Sequence, residues 1–340
     1  MTRRSSIVAT LVVILIMSLG AAKAQESDYL PDYAPMLPQA KARAVPVDPE
    51  KGYAVKELKP GVYMITDGGY EAMFVTTGKG VVLFDAPPSM AQYICQAIAE
   101  TTSEPLVELV YSHVHVDHIA GAGLVLKQHP GLKIIAEDGT ATFLREQQDP
   151  HRPVPTQAFK DHEILTLGSL NAELKVGFWH SPAGDLFVFI PGKKILMAVD
   201  AFSANSVPFM GLDLTQNMDA YIKVFDRILA YDFDVMVPGH HNSPANRQDV
   251  QIAKDYVMDV YGTVTRILAA DYKPLVSAAV HKYGRENTYP IARVLIDHEV
   301  DECAAQIRAR WADRLDNVDV WGASHCRTAL VYAEWDVGPR

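Results

Sequence analysis

The sequence predicts an α+β domain followed by a mostly helical C-terminal extension. Short β-type runs punctuated by glycine fill the first half of the chain, and a second β-rich block follows them. From about residue 246 the apolar spacing becomes helical, with QDVQIAKDYVMDVYGTVTRILAADY as one long amphipathic run.

The first residues stand apart from the rest. Arg3 and Arg4 precede the apolar run IVATLVVILIMSLGAA (7–22), and Ala22-Lys23-Ala24 comes just before Gln25. A basic start, an apolar middle and a small-x-small site read as a signal peptide over 1–24, cut near Ala24 and Gln25. The run is short for a membrane span, which takes roughly 20 apolar residues. The expected product is periplasmic or secreted, with no stable membrane insertion after cleavage. Residues 25–52 are rich in proline and poor in apolar anchors, so they read as an irregular lead-in.

Cleavage would remove Arg3, Arg4 and Lys23 and no acid, taking the formal net charge from −10 to −13. Such a surface argues against nucleic acid as a partner. Of the three cysteines, Cys303 and Cys326 are the natural pair if an oxidising compartment forms a disulfide. Cys95, in the apolar helical stretch MAQYICQAIAE, reads as a buried thiol.

Within the expected domain, 53–245, the β-type runs are VYMIT (62–66), AMFVTT (72–77) and GVVLFDAP (80–87). A helix is expected over 88–101, then the strand LVELVYS (106–112), a helix at 121–129, the strand KIIAE (133–137) and a helix at 140–147. EILTLG, AELKVGFWH and LFVFIPGKKILMAVD return to β, and a helix at 219–230 and the strand DVMVPGH (234–240) close the pattern. Each half, roughly 53–150 and 158–245, runs from strands into a strand–helix unit, which fits two similar lobes.

The chemistry concentrates where LVELVYS ends. There the chain reads HVHVDH, with His113, His115, Asp117 and His118 inside six positions. Continued strand alternation would turn His113, His115 and Asp117 to one side and His118 elsewhere, so two neighbouring cations are within reach. Further ligand types follow at later strand ends: His180 in GFWHSPAGD, Asp200 in KILMAVDAF, and His240 with His241 in VMVPGHH.

With these residues in hand, the chain resembles the metallo-β-lactamase superfamily over about 53–245. Its five usual motifs match Asp85 in VVLFDAP, the H-x-H-x-D-H string at 113–118, His180, Asp200 and His240. The resemblance implies a four-layer αββα sandwich with a binuclear metal centre at the edge between its two sheets. It also implies one metal on His113, His115 and His180, a second on Asp117, His118 and His240, and Asp200 bridging them.

Imidazole and carboxylate ligands suit two zinc ions, and also iron or manganese. Cations on the order of 3.5–4 Å apart can share a hydroxide at neutral pH, which attacks a carbonyl or phosphoryl centre. Asp117 is the expected catalytic residue, orienting that hydroxide and relaying its proton. Asp85 is expected to brace a ligand loop, and His241 either does the same or faces solvent.

True β-lactamases of the family usually carry cysteine or serine where this chain has Asp200. The departure points to its glyoxalase-, lactonase- and phosphodiesterase-type branches, while export and the acidic surface disfavour the nucleases. The leading expectation is a binuclear zinc hydrolase of a small ester, lactone or amide-type substrate. β-Lactamase activity and a mononuclear iron oxidoreductase of the persulfide dioxygenase type are the alternatives, and a non-catalytic binding protein is a third. Phe202, Phe209 and Met210, in the loop after Asp200, are expected to line the substrate site. Residues 246–340, with Trp311, Trp321 and Trp335, are expected to cap the site or offer a homodimer surface.

Overall fold

Residues 30–338 are described by the computed structural model of the chain, so the expected signal peptide at 1–24 lies outside the described residues. Two mixed sheets form the centre. The first has seven strands in simple sequence order: β1 (Ala54–Lys59), β2 (Val62–Thr66), β3 (Glu71–Thr76), β4 (Val81–Phe84), β5 (Leu106–Val110), β6 (Lys133–Glu137) and β7 (Gln157–Phe159). Short glycine turns keep β1 to β4 antiparallel, whereas helical crossovers make β4 to β7 parallel.

The second sheet has the order β12-β11-β10-β9-β8, built from β8 (His162–Leu167), β9 (Leu170–Gly177), β10 (Asp185–Ile190), β11 (Ile195–Met197) and β12 (Val235–Val237). Its first four strands are antiparallel, and the helix Met218–Leu229 carries the chain across to β12, parallel to β11. The two halves read from the sequence thus become two unequal sheets.

Alternation along each strand sorts the side chains into layers. Met64, Met73, Val75 and Phe84 of the first sheet meet Leu174, Val188 and Met197 of the second in one inner core. Their neighbours Ile65, Phe74 and Leu83 face outward onto Ile94, Ile98, Val125 and Leu144 of the covering helices. Phe187, Leu196 and Met236 do the same on the other side, against Tyr221, Phe225 and Ile228. The result is the αββα sandwich. Burial on both faces explains why β3, β4 and β10 read as continuous apolar runs.

Two strands carried no clear signal in the sequence. β1 is an edge strand with no buried position, and β7 is only three residues long. The lead-in is less irregular than expected, because Pro38–Arg43 forms a helix with proline in its first turn, where the missing N–H costs nothing. Arg43 then makes a bidentate ion pair with the largely buried Asp249, at 2.6 and 2.7 Å. Asp249 in turn closes a capping box with Asn246 at the start of the helix Arg247–Leu268.

The helices Arg247–Leu268, Thr288–Trp311 and Val318–Val331 share one apolar cluster with Met218–Leu229 and the outer face of the second sheet. Cys303 and Cys326 form a disulfide between the last two of these helices, and Cys95 is half-buried rather than fully buried. The bridge closes a loop of 23 residues, so replacing both cysteines by serine should lower stability by about 2–4 kcal/mol. Urea unfolding of the two proteins measures it; equal midpoints would mean that the helical packing alone holds these helices.

Candidate metal centre

The ligand-type residues all leave strand ends that meet at one edge of the sandwich. β4 is followed by Asp85, β5 runs into His113 and His115, the β9–β10 turn carries His180, β11 leads to Asp200, and β12 to His240. Carboxyl ends of the parallel pairs β4–β5 and β11–β12 therefore supply much of the set. Asp85 and Asp200 both hold left-handed backbone, with φ of 64° and 57°. Non-glycine residues rarely adopt it, and it tends to mark functional sites.

Extended backbone stops at His115, which corrects the expected alternation. Val116–Ile119 is a helical turn, so Asp117 and His118 are placed by helical rather than strand geometry. The turn is pinned where the Ala86 N–H donates to His118 O and the Gly121 N–H donates to Ala86 O, each at 2.8 Å. A Cβ on Gly121 would lie 2.5 Å from Ala86 O, so only glycine permits this approach.

Seven side chains converge in two groups, His113, His115, His180 and Asp200, and Asp117, His118 and His240. Asp200 joins them. Its Oδ2 lies 3.1 Å from His118 Nε2, 3.3 Å from His180 Nε2 and 3.5 Å from His113 Nε2, while Oδ1 is 3.1 Å from His240 Nε2. His115 Nδ1 and His180 Nε2 are 2.8 Å apart, and the Nε2 atoms of His118 and His240 are 3.1 Å apart. Asp117 Oδ2 sits at 3.6 and 3.8 Å from the latter two.

This donor set fits divalent cations. His113 Nε2 is buried without a hydrogen-bond partner among the described residues, and so is Asp200 Oδ1. Lone pairs pointed at one another across about 3 Å are stabilised by a shared cation or proton and by little else. Burial opposes the ionisation of Asp200, yet the imidazoles of His118 and His240 hold its carboxyl well below the usual range. Burial likewise opposes charge on His180, but Asp185 and Asp200 push its imidazolium up to about 10.

The ligands are aimed by residues behind them. Ser112 Oγ lies 2.8 Å from His113 Nδ1, and the Ser112 N–H donates to Asp85 Oδ1 at 2.7 Å. Asp85 thus braces the loop that carries His113. Sequence reasoning missed Asp185. Its Oδ1 is 2.9 Å from His180 Nδ1, and Oδ2 accepts the N–H groups of Trp179 and His180. The signal was the carboxylate closing HSPAGD. His241 is in neither group; its backbone N–H donates to Gly69 O at 3.3 Å, and burial, then His240, lowers its imidazole to about 4.

A profile of the metallo-beta-lactamase superfamily matches residues 65–240, more than half of the chain. The chain belongs to that superfamily. Its members are metal-dependent hydrolases, and this chain is one of them. It is 24% identical over 185 residues to metallo-beta-lactamase IND-1 of Chryseobacterium indologenes, covering 53% of this chain and 75% of that protein. It is 23% identical over 197 residues to the 2,4-dinitroanisole O-demethylase subunit alpha of Nocardioides sp. (strain JS1661), covering 56% of this chain and 58% of that one. Among solved structures, a metallo-beta-lactamase from Pontibacter korlensis shares the fold with a TM-score of 0.51 at 19% identity, over 60% of this chain and 97% of that one.

In this superfamily member a cavity of about 330 Å³ opens over the candidate metal-binding cluster. His115, Asp117, His180, Asp200 and His240 reach it, and Val114, Val116, Phe143, Phe209 and Leu214 supply apolar walls. Of the loop residues expected to line it, only Phe209 does. Phe202 is buried in the outer core, because the chain turns inward just after Asp200. Met210 is exposed and is not among the lining residues. Tyr70 was missed: its ring lies 4.8 Å from that of His240, and burial, then Asp117 and Asp200, keeps its phenol protonated.

The wall at Phe209 has an unusual support. Gly211, Leu212, Asp213 and Leu214 are all left-handed, a conformation costing about 1–2 kcal/mol per non-glycine residue. Asp213 Oδ1 accepts the Phe209 N–H at 2.7 Å, and Ser324 Oγ accepts that of Gly211 at 3.0 Å. The Phe209 carbonyl accepts from His325 Nε2 at 3.0 Å, so His325 Nδ1 is left to accept the Tyr256 hydroxyl at 2.7 Å. Trp321 packs on the Phe209 ring at 4.8 Å. The C-terminal helices therefore hold one wall of the cavity.

Asp185→Asn keeps an acceptor for the backbone N–H groups but removes the charge behind His180. Cation affinity, measured by competition with a chelator, should fall about 10–100-fold. Unchanged affinity would show that His180 is aimed by the fold alone.

Proposed function

We propose that the chain is an exported binuclear zinc hydrolase of small esters, lactones or amide-type substrates with an apolar body. The observation that carries the reading is Asp200, which turns one oxygen toward His113, His118 and His180 and the other toward His240. Three imidazoles on one side, and one carboxylate with two imidazoles on the other, make two nitrogen-rich sites of the kind zinc takes. When bound, such a pair supplies water acidified to near neutrality and a Lewis acid for the substrate's oxygen.

The chain's own residues do the rest. Asp117 is the least buried carboxylate of the set, with its side chain 36% exposed at the cavity. It orients the attacking water, takes its proton on Oδ2 and returns it to the leaving group. Tyr70 offers its O–H to the oxygen that gains charge. Val114, Phe143, Phe209 and Leu214 hold the apolar body and exclude bulk water. The relatives' names carry different reactions, a β-lactamase and an O-demethylase, so the reaction class follows the metal cluster and the substrate follows the cavity.

Export rests on the basic-apolar-small pattern of residues 1–24, and the Cys303–Cys326 disulfide supports an oxidising compartment. Among the described residues no helix is long and apolar enough to cross a membrane. The acidic surface favours a small molecule over nucleic acid as partner.

A panel of lactones, β-lactams, thioesters and phosphodiesters, assayed with zinc and after chelation, tests the reading. Hydrolysis should appear in the carbonyl classes, vanish on chelation and return with zinc. Turnover unaffected by complete metal removal would defeat it. Asp200→Ser should release at least one cation and lower turnover by at least about 10–100-fold even at saturating zinc. Two tightly held cations with near-normal turnover in that variant would mean that Asp200 only shapes its loop.

A further inference from the structure

A second and larger cavity, of about 930 Å³, lies in the helical C-terminal region and shares no residue with the metal-site cavity. It opens between the end of Arg247–Leu268 and the helices Lys273–Tyr283 and Thr288–Trp311, with the final turn Tyr332–Val337 as another wall. Leu268, Val276, Val280, Leu295 and Trp335 give it an apolar lining.

Glu299 sits among them. It is only 4% exposed, and its carboxyl makes no hydrogen bond or ion pair among the described residues, its oxygens being left open to the cavity rather than sealed in the core. The cations that line the cavity, Lys273 and Arg285, are both exposed on its rim, and Lys273 lies 3.6 Å from Asp271. The Tyr272 hydroxyl is committed to Glu302 at 3.0 Å. Burial pushes the Glu299 carboxyl up to about 7, and the nearby Glu334 and Glu302 add to the shift.

A carboxyl set among apolar side chains, with no partner within the chain, is left to water or to a ligand that enters the cavity. A volume at the upper end of ordinary ligand sites, apolar walls and one deep acid specify the ligand that would do so. We propose that this cavity binds a small hydrophobic cation, an ammonium group on an alkyl or aromatic body. The ammonium pairs with Glu299 beside the rings of Tyr261, Tyr272 and Trp335, where cation–π attraction adds to the ion pair. The body lies along Val276, Val280 and Leu295. A carboxylate of the same size would be repelled by Glu299 and Glu334, and a neutral alcohol would offer Glu299 a single hydrogen bond without a charge.

Calorimetry on the full, metal-loaded chain with n-octylammonium, n-octanoate and 1-octanol tests this, with Trp335 fluorescence as a second readout. Octylammonium should bind saturably at one per chain, octanol at least tenfold more weakly, and octanoate not at all. Glu299→Gln should weaken octylammonium at least tenfold while leaving octanol binding and the melting temperature unchanged. Val276→Trp, which fills the cavity, should abolish binding of both. Equal affinity for octylammonium and octanol, unchanged affinity in Glu299→Gln, or no binding by the chain would overturn the assignment. A chain that binds no octylammonium and self-associates would instead give this surface to a second copy.

Discussion

One buried carboxylate, Asp200, faces four imidazole nitrogens within 3.5 Å, drawn from both sheets of the sandwich. Its Oδ1 has no hydrogen-bond partner among the described residues, and the imidazoles of His118 and His240 favour its charged form against burial, so the carboxylate is placed to be shared. Much of the surrounding structure answers to that demand. Asp200 takes left-handed backbone to turn its side chain inward. Gly239, at φ 97°, brings β12 so close that a Cβ would lie 2.6 Å from Val199 and 3.2 Å from His118. Asp185 and Ser112 then fix the far nitrogens of His180 and His113.

The fold was legible in the sequence where its physics is local. KIIAE (133–137) and VYMIT (62–66) are β-branched or apolar runs between turn signals, and they form strands with those bounds. The edge strand at 54–59 was hidden because it buries no side chain, and the seven-and-five division of strands depends on long-range pairing that periodicity does not encode. The convergence of the candidate cluster was legible for another reason. Metal chemistry needs particular side chains, and HVHVDH followed by His180, Asp200 and His240 supplies them in chain order.

The walls of the cavity were not legible. Whether Phe202 or Phe209 faces the site depends on backbone direction after a left-handed residue, and nothing in AFSANSVPFMG announces it. Nor could residue types reveal that Trp321, Ser324 and His325 reach back across more than a hundred positions to hold Phe209 and Gly211. Strand alternation likewise stops at Val116, where a helical turn replaces the extended backbone. What the sequence hides is the support around the site, and that support sets the shape into which a substrate must fit.

If Asp200 joins two cation sites, diffraction from crystals grown with zinc, recorded on both sides of the zinc absorption edge, should show two anomalous peaks per chain. One should lie among His113, His115 and His180 and one among Asp117, His118 and His240, with an Asp200 oxygen in contact with each. A single peak, or two peaks with Asp200 turned away from either, would contradict it.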